Sequence, residues 1–213
     1  MTSKTENFWD KQAQKFDSGE KQSEPVYEEI IARTRKHLNI NDIVLDFGCA
    51  TGTKTIQLAS GTKHIHGLDI SAEMIRIALK KKDEANIMNI SFSKGTIFDD
   101  DLKKSSFDKI IAFAIIQLLE DNEKVIRRIH ELLKPGGLFI STTACLKDKM
   151  DFKSRFEVTS YLIMNRLGIF PLHLNMFMPA DVEKLIQDQN FQIVESEKIF
   201  HRMTASFIVA RKL

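Results

Sequence analysis

The sequence has little of what stabilises small secreted proteins or builds membrane proteins. Among 213 residues there are two cysteines, Cys49 and Cys145, which make neither a disulfide framework nor a zinc pattern. The longest unbroken apolar run, 110–116, is far shorter than the roughly 20 residues that a membrane span needs. Residues 1–7 lack the apolar core of a secretion signal. These absences predict no membrane span and a reducing, cytoplasmic location.

The chain also lacks an excess of one charge. Lys and Arg number 31 and Asp and Glu number 29, and the resulting net charge of +2 gives no argument for nucleic-acid binding. Two short basic clusters, at 80–82 and 103–104, are typical of a solvated helix end and a loop. No linker-like stretch divides the chain. We therefore expect one domain over 1–213 and no nucleic-acid partner.

What the sequence does contain is a regular alternation of short apolar runs and amphipathic segments. Strands are expected at 43–47, 64–69, 90–93, 107–113, 138–142, 191–195 and 205–210, and helices at 5–16, 25–38, 52–60, from 71, from 121 or 122, and at 179–189. Such alternation is typical of a parallel sheet covered on both faces. The predicted fold is α/β, doubly wound and Rossmann-like, with a mostly parallel seven-stranded sheet and an antiparallel C-terminal hairpin.

The segment 46–52, Asp-Phe-Gly-Cys-Ala-Thr-Gly, carries the strongest functional signal. It lies between a predicted buried strand and a predicted helix, where doubly wound sheets bind ligands. Its small residues Gly48, Ala50 and Gly52 leave room for a ligand against the backbone, provided that Ala50 keeps a negative φ. A second acid, Asp69, ends the next strand and can accept hydrogen bonds from both hydroxyls of a ribose. These features predict a nucleoside site.

The acid Asp46 indicates which nucleoside fits. A dinucleotide loop needs the spacing G-x-G-x-x-G, which this loop does not have. A carboxylate repels a pyrophosphate and attracts a positively charged ligand that has no phosphate. S-adenosylmethionine is such a ligand, since it has a ribose, an ammonium and a sulfonium. An NAD-dependent oxidoreductase is disfavoured for the same reasons.

On these residues the sequence resembles the class I S-adenosylmethionine-dependent methyltransferases over about residues 43–143. It is most similar to their small-molecule branch, methyltransferase type 11, which includes the quinone-biosynthesis enzymes. Shorter similarities lie at 8–11, 16–17 and 207–212. The resemblance implies S-adenosylmethionine as cofactor and implies contacts with it from Asp46, Gly48, Cys49, Ala50, Gly52, Asp69, Ile70, Met74, Thr96, Ile97, Ala112, Phe113 and Gln117.

The sequence departs from this family at two of those positions. Ala50 stands where the family usually has glycine, and Thr96 replaces an acid or amide that bonds the adenine amino group, a role for which Asp99 is a substitute. Cys49 is expected to pack rather than to act as a nucleophile. His64 and His66 share one strand face without further ligands at a recognisable spacing, so no metal is expected.

Methyl transfer from a sulfonium requires an acceptor atom held in line with the C–S bond and shielded from water. An acidic phenol, thiol or enol needs no strong base, so a dedicated catalytic residue is not required. Tyr27 and His173 are the candidates for a base, because an N-terminal helical cap at 1–40 and an inserted segment at 145–178 are expected to cover the cofactor. The alternative roles are packing on a helix face for Tyr27 and a loop position for His173.

The segment 145–178 begins with charged residues and then becomes apolar. It is longer than a connection needs. It is consistent with a roof over a lipid-like, quinone-like or aromatic acceptor, with an extra helix or a homodimer contact, and with shallow membrane docking. The chain is expected to be a monomer or a homodimer.

The predicted function is methyl transfer to a small, apolar or aromatic acceptor by in-line displacement. An RNA or protein methyltransferase is an alternative, although 112–115 lacks the proline-containing motif of base amino-group methylation and no basic arm is visible. A regulatory protein that binds the cofactor without turnover is another.

Overall fold

The computed structural model describes residues 3–20 and 23–213. Within them the strands are β1 Ile43–Phe47, β2 His64–Asp69, β3 Ile90–Lys94, β4 Phe107–Phe113, β5 Leu133–Ala144, β6 Phe191–Phe200 and β7 Thr204–Lys212. The α-helices are α1 Ser3–Glu20, α2 Glu24–Arg35, α3 Thr53–Leu58, α4 Ala72–Glu84, α5 Asn122–Leu132, α6 Phe152–Arg166 and α7 Pro179–Gln187. A short 3-10 turn, Ile116–Leu118, follows β4.

The strands form one seven-stranded sheet in the order β3-β2-β1-β4-β5-β7-β6. The first five strands in this order are parallel, and β7 is antiparallel to both of its neighbours. The chain moves outward from β1 to β3 and then crosses back to β4, so the strand order reverses between β1 and β4. Doubly wound sheets bind ligands above the carboxyl ends of strands at such a point. The predicted fold is confirmed.

The central strand β1 is apolar because both of its faces are buried. Successive side chains of a strand point to opposite faces, and Val44 accordingly belongs to the cluster that contains Ile30 and Ile31 of α2. Leu45 belongs to the other large cluster, which contains Ile126 of α5 and residues of α7. Apolar packing on both faces of the sheet therefore fixes the position of β1.

Two helix starts follow the side-chain caps expected from the sequence. The Ser71 hydroxyl accepts a hydrogen bond from the backbone N–H of Met74 at 3.1 Å. The Asp121 carboxylate accepts one from the N–H of Lys124 at 3.0 Å. Each cap satisfies a donor that the first turn of a helix leaves unpaired.

The fifth strand, expected at 138–142, is longer than predicted and contains an irregularity at its start. β5 begins at Leu133, and its register with β4 shifts between Phe107 and Lys109. Gly136 has a φ of 74° in this stretch, which glycine adopts at little cost. In the segment 145–178 the chain forms the helix α6. No helix within 3–20 or 23–213 combines the length and the apolar character needed to cross a membrane.

Candidate active site

A cavity of about 320 Å³ lies at the carboxyl ends of β1, β2 and β4, at the point where the strand order reverses. The described residues that line it come from these strand ends, from the loop after β1 and from the first three helices and α4. They are Trp9, Phe16, Glu20, Tyr27, Asp46, Phe47, Gly48, Cys49, Ala50, Lys54, Asp69, Ile70, Met74, Phe113, Ala114, Ile115, Gln117 and Leu118.

The loop after β1 turns back over the end of β2 through backbone hydrogen bonds. The N–H groups of Gly48 and Cys49 both donate to the carbonyl oxygen of Leu68, at 2.8 and 3.1 Å. Gly48 has a φ of 78°, and a Cβ there would lie 2.6 Å from the side chain of Ile115. Glycine at this position thus allows both the turn and the close approach of the residues after β4.

Ala50 has a φ of +48°, so the condition of a negative φ at this position is not met. In this conformation its backbone N–H donates to Oδ2 of Asp69 at 3.0 Å. Ala114, which directly follows β4 and also lines the cavity, has a positive φ as well, of 53°. For an L-residue this conformation costs about 1–2 kcal/mol. Backbone strain of this kind concentrates at functional sites.

The Asp69 carboxylate is fixed by two backbone donors. Its Oδ2 accepts from Ala50, and its Oδ1 accepts from the N–H of Ser71 at 2.9 Å. Burial raises the pKa of Asp69, and the backbone hydrogen bonds oppose that rise. Each carboxylate oxygen keeps further capacity to accept a hydrogen bond. Asp69 is therefore a preoriented acceptor at the edge of the cavity.

Asp46 is an almost fully buried carboxylate, 3% exposed, on the floor of the cavity. Its Oδ2 accepts a hydrogen bond from the Thr55 hydroxyl at 2.6 Å. Burial raises the pKa of Asp46 to about 6, the negative charge of Asp69 adds to the rise, and the hydrogen bond and Lys54 oppose it. A positive charge in the cavity would favour the ionised form of Asp46. The floor is thus suited to a cationic ligand.

Gln117 contributes a buried acceptor that has no partner in the described part of the chain. The side-chain Nε2 donates to the carbonyl oxygen of Ala114 at 2.7 Å, whereas Oε1 is buried and makes no hydrogen bond. Leaving a buried polar atom unpaired costs about 1–3 kcal/mol. A donor on a ligand in the cavity would satisfy this oxygen.

Helix α1 forms the opposite wall and is tied to the sheet side by polar side chains. Asp10 accepts hydrogen bonds from the Ser71 hydroxyl at 2.6 Å and from the N–H of Glu73 at 3.1 Å. Asp17 accepts one from the Thr51 hydroxyl at 2.6 Å and forms an ion pair with Lys81 at 2.6 Å. These contacts bring the rings of Trp9 and Phe16 onto the cavity, as its lining shows.

A further set of contacts, made by Lys54 with Glu20 and Tyr27, joins α1, α2 and α3. The Lys54 ammonium lies 2.6 Å from Oε1 of Glu20 and 3.8 Å from the centroid of the Tyr27 ring. Burial and the neighbouring Glu20 carboxylate raise the pKa of Tyr27 well above its usual range. The Tyr27 hydroxyl therefore stays protonated, which opposes the role of base expected from the sequence.

The structure brings most of the sequence-predicted cofactor residues together around this cavity. They are Asp46, Gly48, Cys49, Ala50, Asp69, Ile70, Met74, Phe113 and Gln117. Burial raises the pKa of the Cys49 thiol, so it stays protonated and acts as a packing residue, as expected.

Three of the other predicted residues lie in the surrounding core. Gly52 precedes α3 with a φ of 73°, and a Cβ there would lie 2.6 Å from the ring of Phe92. The absence of a side chain at Gly52 therefore allows the loop to pack closely against β3. Ile97 and Ala112 are fully buried in the core cluster that contains Leu45. Their contact with a cofactor stays a prediction.

The remaining polar candidates have partners of their own outside the cavity. The Thr96 hydroxyl donates to Oδ1 of Asp99 at 2.6 Å, and its N–H donates to Oδ2, so the two residues close a local turn. His173 is exposed and its ring lies 3.2 Å from Oδ1 of Asn175. The structure does not place Thr96 or His173 at the cavity.

Among the described lining residues none comes from 145–178, so this segment does not roof the cavity itself. It supports the wall from behind, because the Asn175 N–H donates to the carbonyl oxygen of Gln117 at 2.7 Å and its side chain to that of Leu119 at 2.6 Å. Phe170 packs edge-to-face on Phe8 of α1 at 5.5 Å. The segment was expected to cover the substrate, but its apolar residues reach the cavity only through α1.

Sequence reasoning did not identify the lining residues Glu20 and Lys54, and did not assign Trp9 and Phe16 to the site. The similarity at 8–11 and 16–17 was the available signal for the two aromatic residues. Within the described ranges no three His, Cys, Asp or Glu side chains converge in a metal-binding arrangement. The rings of His64 and His66 both hydrogen-bond the Ser91 hydroxyl, at 2.9 Å each.

Comparisons with known proteins agree with this geometry. A methyltransferase domain family matches residues 38–171. Phosphoethanolamine N-methyltransferase 2 of Caenorhabditis elegans is 33% identical over 100 residues, which are 46% of this chain and 23% of that protein. Demethylmenaquinone methyltransferase of Lactococcus lactis is 30% identical over 170 residues, which are 73% of this chain and 68% of that protein. The match to the nematode protein thus spans about a quarter of its length.

A solved structure shares the fold. Haemonchus contortus phosphoethanolamine N-methyltransferase 2, in complex with phosphomonomethylethanolamine and S-adenosylhomocysteine, superposes with a TM-score of 0.70 at 17% identity, covering 87% of this chain and 52% of that chain. The family match covers β1, β2 and β4, the strands whose ends build the cavity. This chain therefore belongs to the S-adenosylmethionine-dependent methyltransferases.

Proposed function

We propose that this protein transfers the methyl group of S-adenosylmethionine to a small apolar or aromatic acceptor by in-line displacement. The observation that carries the proposal is the composition of the cavity. A buried carboxylate, Asp46, and a half-buried one, Asp69, lie on its sheet side, and the aromatic rings of Trp9, Phe16 and Tyr27 lie on its helical side. The first group suits a cationic nucleoside and the second suits an apolar acceptor.

The residues present fit S-adenosylmethionine. Asp69 would accept hydrogen bonds from the ribose hydroxyls, because its two oxygens are already oriented by Ala50 and Ser71. Asp46 and the unpartnered Oε1 of Gln117 would receive the ammonium of the methionine part. The cofactor supplies a methyl group that its sulfonium has already activated.

The acceptor side of the cavity is suited to positioning and to the exclusion of water. The described lining contains no histidine, Glu20 is paired with Lys54, and Tyr27 keeps its proton. We therefore expect an acceptor that loses its proton readily, such as a phenol, a quinol or a thiol. Holding its reacting atom in line with the methyl group then supplies much of the acceleration.

The printed name of the Lactococcus relative, a demethylmenaquinone methyltransferase, supports a quinone-like acceptor. RNA and protein acceptors are not favoured, because the relatives compared above are named for small molecules. A cytoplasmic location is part of the proposal and is supported by two free, buried cysteines.

The test is methyl transfer from radiolabelled S-adenosylmethionine to separate panels of quinols and phenols, thiols, amines, RNA and protein. We expect turnover on the quinol and phenol panel, and loss of it in Asp69→Ala. Tight cofactor binding without turnover on any panel would instead support a regulatory protein. Turnover confined to RNA or protein would contradict the proposed acceptor class.

A further inference from the structure

Helix α6 and its C-cap residue expose four large apolar side chains on one side. Phe152, Phe156, Ile163 and Leu167 are 87%, 69%, 57% and 67% exposed. At the 3.6-residue period of an α-helix these four positions fall within an arc of about 60°. We call these four residues the α6 stripe. It runs along the whole outer side of the helix.

The opposite side of α6 holds the helix firmly on the protein. Ser154 and Val158 are buried there. Arg202 lies 3.5 Å from the Asp151 carboxylate that caps the helix, and 3.3 Å from the carboxylate of Glu157. These contacts on the inner side of α6 set its orientation, so that the α6 stripe faces outward.

The unpaired charges beside the α6 stripe are positive, because the nearby acids Asp151 and Glu157 are both paired with Arg202. At the helical period, Lys153 lies beside one edge of the α6 stripe, and Arg155 and Arg166 lie beside the other edge. Among the residues that the structure describes, these three cations form no ion pair, and the only acid between 152 and 169, Glu157, is held by Arg202. An apolar stripe between cationic edges is typical of a helix that lies in a lipid interface.

The same charges argue against a second copy of the chain as the occupant. In a symmetric contact between two α6 stripes, Arg155 and Arg166 of each copy would approach the cations of the other. No carboxylate of the stripe would neutralise them, and like charges that lose water are strongly disfavoured. An anionic lipid surface instead buries the stripe and pairs the cations with phosphate groups.

We propose that α6 lies on an anionic membrane surface, with the α6 stripe buried among the lipid headgroups and the three cations paired with lipid phosphates. A row of aromatic rings leads from this helix to the cavity. Tyr161 of α6 stacks on Phe170 at 4.8 Å, Phe170 contacts Phe8 at 5.5 Å, and Phe8 contacts Trp9 at 5.2 Å. In a docked enzyme this row of rings would lie between the lipid-bound helix and the cavity, along a route for an acceptor drawn from the membrane. This last step, an acceptor drawn from the membrane, rests on the proposed function, whereas the docking does not.

The test is flotation of the full chain with vesicles of phosphatidylcholine alone and with vesicles that also contain phosphatidylglycerol. We expect binding only with the anionic lipid. Phe156→Ser should weaken it about tenfold, from the loss of one buried aromatic side chain. The paired change Arg155→Gln with Arg166→Gln should weaken it about thirtyfold, since each cation near the surface contributes about 1 kcal/mol. Met88→Ser, at an 88% exposed methionine beyond α4, is the matched control and should bind as the wild type does.

Equal binding to both kinds of vesicle, or no binding to either, overturns the proposal. So does a homodimer in sedimentation experiments that Phe156→Ser dissociates, because the stripe would then be a contact between copies. Ile163→Ser repeats the test at a second position if Phe156→Ser lowers the melting temperature. S-adenosylhomocysteine binding of both variants, measured without lipid, should be unchanged, so a failure of docking is distinguishable from a failure of the proposed function.

Discussion

The loop after β1 and helix α1 face the same cavity from opposite sides, and different interactions hold them in place. The loop is bound through its backbone, by the hydrogen bonds of Gly48 and Cys49 to Leu68. Helix α1 is bound through side chains, chiefly Asp10 and Asp17. The loop is thus part of the hydrogen-bonded backbone of the sheet, whereas polar side chains attach the helix to the sheet.

This difference separates two tasks of the enzyme. A loop fixed by backbone hydrogen bonds of a buried sheet keeps its geometry through many side-chain changes, which suits the binding of an invariant cofactor. A helix held by a few partly exposed polar contacts opens at a lower free energy than the core. Such a helix can open to admit an acceptor, and its apolar residues can differ between enzymes that have different acceptors. The predictions below test this division.

The largest expected effect is on the sheet side. Asp69→Ala removes the acceptor of the Ala50 and Ser71 N–H groups and the proposed partner of the ribose. We expect the affinity for S-adenosylhomocysteine to fall by about 1.5–3 kcal/mol. Calorimetry on the folded variant measures this loss, and Asp188→Ala, whose carboxylate forms an exposed ion pair with Lys184 away from the cavity, is the control. Wild-type affinity in Asp69→Ala would refute the ribose assignment.

The next effect is a dependence on pH that comes from Asp46. Its pKa in the folded protein is raised to about 6, so lowering the pH through that value protonates the carboxylate that would attract the ammonium. We expect the affinity for S-adenosylmethionine to fall as the pH decreases through about 6, with proton release on binding in that range. Asp46→Asn should bind weakly at all pH values and lose this dependence.

The same pKa shift has a consequence for stability without ligand. A carboxyl whose folded pKa is raised contributes stability at low pH and loses that contribution as the pH rises through its folded value. The free energy of unfolding of Asp46→Asn relative to wild type should therefore increase as the pH rises through about 6. Denaturant titrations of both proteins across this range measure the difference, and a constant difference would show that Asp46 has an ordinary pKa.

A smaller effect is expected on the helical side. Asp17→Ala removes an ion pair with Lys81 and a hydrogen bond from Thr51, and the Asp17 side chain is 43% exposed. The free energy of unfolding should fall by less than about 1 kcal/mol. Amide exchange in α1 should nevertheless accelerate, while S-adenosylhomocysteine affinity falls far less than in Asp69→Ala. Lys184→Ala, at an exposed ion pair of α7, is the control. Unchanged exchange in α1 would contradict the idea of a cover held by side chains.

The smallest effect concerns strain in the loop. Ala50→Gly relieves a left-handed alanine at φ +48° and should raise the free energy of unfolding by about 0.5–1 kcal/mol, after the greater flexibility of unfolded glycine is subtracted. Asn86→Gly, at φ 52°, is the matched control and should gain less, because asparagine tolerates this conformation. Equal gains, or a loss at position 50, would show that Ala50 is unstrained.

The sequence predicted best what the buried sheet determines. β1, β2 and β4 lie where they were expected, because apolar runs flanked by helix signals encode parallel strands. The topology then brings Asp46 and Asp69 to one edge without further information. The φ of Ala50 was not predictable from the local sequence, because the loop makes contacts distant in the chain, such as the hydrogen bond from Ala50 to Asp69, 19 residues further along.

The helical side was harder to predict for a physical reason. The place of Trp9 and Phe16 in the site depends on how α1 crosses the sheet edge, and no local pattern encodes that crossing. Thr96 and Asp99 were expected at the adenine, but short polar side chains three residues apart satisfy each other in a turn. The charged residues of 145–178 were visible in the sequence, whereas the outward direction of the α6 stripe required the structure.

The measurement that tests the central claim most directly is the melting temperature of the purified protein with S-adenosylhomocysteine and with NAD at equal concentration. A ligand that binds only the folded state raises this temperature by an amount that grows with the logarithm of its concentration relative to its Kd. We expect a clear increase with S-adenosylhomocysteine, none with NAD, and a much smaller increase with S-adenosylhomocysteine in Asp69→Ala. Stabilisation by NAD, or an equal response to both ligands in wild type and variant, would contradict the central claim.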